Sequence, residues 1–174
     1  MILSKILKYS INHNSTNAHL NRSSAQTNYC LIDIDAGSPY HPTRDPLAIG
    51  QMIAALEPLG LVDYLACTSS YSSGIHLYLP FQFAQKSWQL ALVVQTVIEN
   101  ARFKVALGQL EILPNPKVYA ADHTPSLYAA HRLPMQAGSY LLNSSWEVIW
   151  SDSSTFVRQW NLVQSRNDID ELAL

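Results

Sequence analysis

The sequence predicts an α/β fold of the α+β kind. Its core is a βαββαβ unit with an antiparallel sheet in the order 4-1-3-2, followed by a short helical C-terminal tail. Three observations predict it. Four segments between residues 29 and 113 carry strand periodicity, and two segments among them carry helical spacing. Pro- and Gly-containing stretches separate them by short connections.

Residues 10–28 are rich in Asn, Ser and Thr and poor in apolar residues, which predicts a loose N-terminal arm over 1–28. The first strand is expected over 29–35, where Ile32 and Ile34 alternate with Asp33 and Asp35. Gly37, Pro39 and Pro42 then make a loop. Leu47, Ile49, Met52, Ile53 and Leu56 fall at helical spacing, so 46–56 is expected to be a helix. Asp45 suits its N-cap and Pro46 its first turn, while Pro58 and Gly60 stop it. Strands are expected over 61–68 and 75–81, joined by a turn at 69–74. A long amphipathic helix follows over 86–105, with Trp88, Leu92, Val97 and Ile98 inward and Gly108 at its end. The fourth strand covers 109–113 and is closed by Pro114 and Pro116. Beyond it lie an apolar segment at 139–142 and a helix over 155–164, capped by Ser153 or Ser154.

That element order is the split βαβ, or ferredoxin-like, unit that RNA-recognition motifs also use, with both helices on one face of the sheet. The chain therefore divides into an arm (1–28), an RRM-like core (29–143) and a C-terminal helical extension (144–174).

Composition fits a folded domain. The chain has 174 residues, of which 48% are hydrophobic and 14% charged. No apolar run reaches the ~18 residues of a membrane span, so a soluble chain with no membrane partner is expected, and the two cysteines, read as reduced, point to a cytoplasmic location. Cys30 and Cys67 sit in apolar strand-like segments and read as reduced core thiols. The net charge of −2 lacks the basic excess usual for nucleic-acid binders, though a carboxylate metal centre adds negative charge of its own.

Alternation concentrates chemistry on one face. If Ile32 and Ile34 face the helices, Asp33 and Asp35 share the other face, ~7 Å apart along the strand. The same logic turns His76 and Tyr78 outward on the third strand and Glu111 outward on the fourth. The 4-1-3-2 order sets these strands side by side, ~4.8 Å apart. Three carboxylates on a rigid sheet are hard oxygen ligands for Mg²⁺ or Mn²⁺, and a two-metal site of this kind clamps the attacking and leaving oxygens of a phosphoryl displacement. Ser72, Ser73 and Gly74 form a tight turn before His76 whose backbone N–H groups could meet an anion. Taken singly, an Asp-x-Asp or a strand histidine is more often a solvated or structural feature. The combination on neighbouring strands is what points to a site.

These segments resemble the motifs of the archaeo-eukaryotic primase superfamily, in particular its bacterial and mobile-element primase-polymerases. LIDIDAGSPYH is similar to the first motif, an hhDhD strand. SYSSGIHLYLPF resembles the second, Ser-x-His on the strand after a turn. QLEILPNPK resembles the third, a strand carrying an acidic residue, and RLPMQAGSYLL resembles a segment that follows it. The motifs occur in family order over 31–142. The resemblance implies a nucleotidyltransferase that makes or extends a nucleic-acid strand from nucleoside triphosphates on a template, with DNA the first choice of template. It assigns metal binding to Asp33, Asp35 and Glu111, and contact with the nucleotide phosphates to Ser73 and His76. Arg132 is a further phosphate contact on charge alone, with a surface salt bridge an equal alternative. A helicase or a further replication domain is the partner implied.

Members of that family carry an additional αβ module ahead of the Asp-x-Asp strand, whereas residues 1–28 alone precede it here. A minimal member, a fragment or a remnant all fit. One alternative is therefore a truncated, catalytically silent nucleic-acid-binding or interaction module of a replication complex. Another is a replication-initiator nuclease of the HUH type, but His76 is followed by Leu77 and Tyr78, so the His-x-His pair is missing. An RNA-recognition module would present stacking aromatics in a Lys/Arg-Gly-aromatic pattern, which GIHLYLPF lacks.

Overall fold

At the centre of the molecule, β1 (Gln26–Ile34) pairs antiparallel with β3 (Ile75–Lys86) on one side and β4 (Leu110–Leu113) on the other. The computed structural model describes residues 26–114 and 134–169. Within them the elements continue as α1 (Ala48–Leu56), β2 (Leu65–Thr68), α2 (Ser87–Asn100), β5 (Leu141–Leu142), β6 (Val148–Ile149) and α3 (Ser153–Arg166). The sheet is six-stranded and antiparallel, in the order β4-β1-β3-β2-β5-β6. The 4-1-3-2 core expected from alternation is there, and the β5–β6 hairpin extends it beyond β2. The boundary drawn at residue 143 falls inside that hairpin, and Gln26–Asn28, assigned to the arm, open β1.

The two faces of the sheet differ. On one, Ile32, Ile34, Ile75, Leu77, Leu79, Leu110 and Ile112 pack against Ile49, Met52, Ile53 and Leu56 of α1 and Leu90, Val94 and Ile98 of α2. On the other, Leu31, Leu65, Tyr78 and Leu113 lie under Phe156, Trp160 and Val163 of α3. Alternation leaves this second face open; α3 covers part of it. The amphipathic stripe of α3 would otherwise be stranded in water, at roughly 1.5–3 kcal/mol for each large side chain.

Local chemistry explains the element ends. The Asp45 carboxylate accepts from the N–H groups of Leu47 and Ala48, at 3.0 and 3.2 Å, so it caps α1 as its position suggests. Asp152, and not Ser153 or Ser154, caps α3 by accepting from the Thr155 N–H at 2.8 Å. α2 stops at Asn100, short of 105. Arg102 turns left-handed there (φ 73), which drops Phe103 into the core, and Gly108 (φ 71) serves the turn into β4 instead of ending the helix. Trp88 and Leu92 lie outside the buried stripe of α2, 44% and 61% exposed. Apolar residues run most of the way round this helix, so spacing alone does not choose its inner face.

Cys30 and Cys67 are free and buried, and burial pushes both thiols up to about 12, as inert core residues. No helix among the described residues is long and apolar enough to cross a membrane.

Candidate functional site

Register assembles the site. Asp33 stands directly opposite His76 on β3 and opposite Glu111 on β4. His76 in turn faces Cys67 on β2, and Cys67 faces Leu141 on β5. The neighbouring row on the same face is Leu113, Leu31, Tyr78 and Leu65, which α3 covers. One step of two residues thus separates an apolar row under a helix from a row carrying two carboxylates and an imidazole.

His76 is 3% exposed, with both ring nitrogens engaged by the chain. Nε2 lies 3.3 Å from Asp33 Oδ2, and Nδ1 lies 3.2 Å from the Tyr78 hydroxyl. Tyr78 is held in turn among the rings of Tyr29 and Trp160, with centroids 6.2 and 6.0 Å away. Burial, ahead of the neighbouring Cys67, Tyr29 and Asp33, drives its phenol far above the usual tyrosine range, so Tyr78 offers no nucleophile.

Asp35 follows the last residue of β1, and its N–H donates to the Gln109 carbonyl at 3.1 Å. Its carboxyl is shifted upward. Desolvation is the larger cause and the charge of Asp33 the second, with His76 pulling the other way. An acid whose folded pKa is raised disfavours the folded state once it ionises. That penalty is present at neutral pH and is lost as pH falls through the raised value towards the ordinary one near 3.8. Asp35→Asn is therefore expected to melt above wild type at pH 7, with the gain shrinking in melts run towards pH 4. An equal difference at both pH values would refute the electrostatic account.

Glu111 is half-buried and its Oε1 accepts from the Gly108 N–H at 3.2 Å. Among the described residues, no group of three His, Cys, Asp or Glu side chains stands close enough to hold a metal ion. Asp33 and Asp35 are the pair whose charges act on one another, while Glu111 is turned to its own strand's entry turn. All three are hard oxygen donors of the kind Mg²⁺ or Mn²⁺ takes, but among the described residues they do not converge on one point.

Ser73 sits exposed in the 69–74 turn at φ 65. Two N–H groups expected to be free for an anion are engaged within the turn: Ser72 donates to Ser70 Oγ and Ser73 to the Ser70 carbonyl. Gly74 leaves little space for a side chain: a Cβ there would lie 2.6 Å from Ser69 Oγ and 3.2 Å from the Ile34 carbonyl oxygen. The turn is thereby pressed against the end of β1. Two residues at this end escape any periodicity signal. His41 reaches the Ser73 carbonyl, and Arg44 places Nη1 2.6 Å from the Ala36 carbonyl and 3.1 Å from that of Ser38, bringing a cation beside the loop after Asp35. Both depend on side chains closing a loop, which spacing does not encode. Arg132 lies outside the described residues. No protein-family model and no curated protein matches the chain.

Proposed function

We propose that this chain is a metal-dependent nucleotidyltransferase of the primase-polymerase type, acting on nucleoside triphosphates along a nucleic-acid template. The observation that supports it is the Glu111–Asp33–His76 row, with Asp35 just beyond it, on the central strands of the sheet. Carboxylates at the middle of a sheet are costly unless a cation or partner compensates them, and the raised carboxyl of Asp35 is a local sign of that cost. Asp33 and Asp35, with Glu111, would hold Mg²⁺ or Mn²⁺, which would supply neutralisation of phosphoryl charge and alignment of the reacting oxygens. The chain's own residues do the rest. His76 Nε2 is the donor assigned to a nucleotide phosphate. Ser73 stands at the rim of the same end, and Arg132 remains a candidate second phosphate contact.

A second reading, a silent interaction module, is favoured by one observation: His76 is almost fully buried and satisfied by Asp33 and Tyr78 without any ligand. Metal binding separates the two readings. Calorimetric titration of Mn²⁺ into wild type and into the Asp33→Ala/Asp35→Ala double variant decides between them, because a silent module takes up no Mn²⁺ at these carboxylates.

A further inference from the structure

Two loops meet at the carboxylate end of the sheet: residues 35–45, after β1, and the 69–74 turn between β2 and β3. His41, buried in the first, is the side chain that reaches the second. Its Nε2 lies 3.1 Å from the Ser73 carbonyl, while Nδ1 lies 2.9 Å from Thr43 Oγ1 and 3.4 Å from the Thr43 N–H. A carbonyl can only accept and a backbone N–H can only donate. The proton therefore sits on Nε2, and Nδ1 is the acceptor.

We propose that His41 is a positioning residue that clamps the 69–74 turn, and with it Ser73, against the end of β1. Four observations converge on this. Ser73 holds a left-handed conformation unfavourable for a residue with a side chain, and the His41 bond to its carbonyl adds to the turn's own bonds in keeping it there. A Cβ on Gly74 would lie 3.2 Å from the Ile34 carbonyl oxygen, so the turn packs close to the end of β1. The loop that carries His41 is itself braced, by Arg44 on the Ala36 and Ser38 carbonyls and by the Tyr40 hydroxyl on the Lys104 N–H. On its far side the turn is held by Tyr71, whose ring lies against Gly138. His41 supplies the hold on the near side, where Asp35 stands. That the clamped edge meets a nucleotide phosphate rests on the nucleotidyltransferase reading; that His41 sets the turn does not.

Amide hydrogen exchange on the full chain tests the clamp, in wild type and in His41→Ala, His41→Gln and His41→Asn. The Gln side-chain amide nitrogen reaches the place of Nε2, whereas the shorter Asn amide reaches only that of Nδ1. The Ala and Asn variants are expected to speed exchange at the amides of Ser69, Ser72 and Ser73 about fivefold, the scale of one lost net hydrogen bond. The β1–β3 ladder should keep its wild-type rates, and Gln should return the turn amides close to them. In a parallel nucleotide titration with Mn²⁺ present, affinity is expected to fall about fivefold in Ala and Asn and to recover in Gln. Unchanged turn amides in His41→Ala, a uniform acceleration across the whole sheet, or a Gln variant no better than Asn each overturn the proposal. A wild type that binds no nucleotide, with turn amides still following the Ala, Asn and Gln series, upholds the clamp and sinks the assignment of the centre.

Discussion

The Asp33→Ala/Asp35→Ala variant is expected to lose its heat of Mn²⁺ binding entirely while melting within about 5 °C of wild type. The two halves of that expectation have separate causes. Glu111 is left as the one carboxylate of the set, and it already accepts from the Gly108 N–H, so little remains to hold a divalent ion that needs several oxygens. Stability changes little because two effects oppose. Removing Asp33 takes the carboxylate 3.3 Å from His76 Nε2, a polar contact at a partly exposed acid that is worth about 1 kcal/mol or less. Removing Asp35 as well relieves the desolvation and like-charge penalty that raises its carboxyl. Mn²⁺ heat retained in the double variant would mean that the ion binds elsewhere, and the nucleotidyltransferase assignment would fall with it. A collapse of the fold instead would mean that the Asp33–His76 pair is structural. Asp33→Asn, which keeps a side-chain acceptor for His76, then separates loss of metal from loss of fold.

Much of this site was legible because strands have a period of two. Alternation of Ile32 and Ile34 with Asp33 and Asp35, and of Leu110 and Ile112 with Glu111, assigns faces without further information. The strand order then follows from the βαββαβ sequence of elements, while the registers Asp33–His76 and Asp33–Glu111 are set by turn geometry and appear only in the structure. What alternation does not reveal is what lies on the face it leaves polar. The stripe of Phe156, Trp160 and Val163 says that α3 needs an apolar surface, not that the surface is the Leu31–Tyr78 row beside the carboxylates. For the same reason His76 looks solvent-facing in sequence and is buried in the fold: its cover comes from side chains distant in the chain or from its own strand partner Tyr78. The link from His41 to Ser73 spans 32 positions and leaves no periodic trace. Helix faces are the other gap. On α2 the apolar residues Trp88 and Leu92 outnumber the places the sheet offers, and only packing shows which are left outside.

How α3 is held over that face leads to the largest expected change in stability, in Asn167→Ala. Asn167 ends α3 and is 1% exposed. Its Oδ1 accepts from the N–H groups of Val62 and Asp63, at 2.8 and 2.9 Å. Its Nδ2 donates to the carbonyls of Asp63 and Pro80, both at 2.9 Å. Both acceptor sites and both donors of the amide are therefore used, which joins the helix end to the approach to β2 and to the middle of β3. The chain on either side leaves little slack. Asp168 donates to the Gly60 carbonyl at 3.0 Å, and a Cβ on Gly60 would overlap the Asp168 carbonyl. Alanine strips all four bonds, and each buried polar group left unmet costs about 1–3 kcal/mol. Water entering the vacated space would satisfy some of them, so the total expected is about 3 kcal/mol, or a fall of roughly 10 °C in melting temperature. Asn167→Asp keeps the two acceptor bonds but sets a buried charge against two carbonyl oxygens, so it should be no milder than the alanine change. The exposed Arg166–Asp63 ion pair, at 2.7 Å, provides the contrast: Arg166→Ala should cost under about 1 kcal/mol. Urea unfolding midpoints for the three variants measure the difference. If Asn167→Ala is as mild as Arg166→Ala, the amide is not the fastening of α3, and the cover over Tyr78 has to be held by the packing of Phe156, Trp160 and Val163 alone.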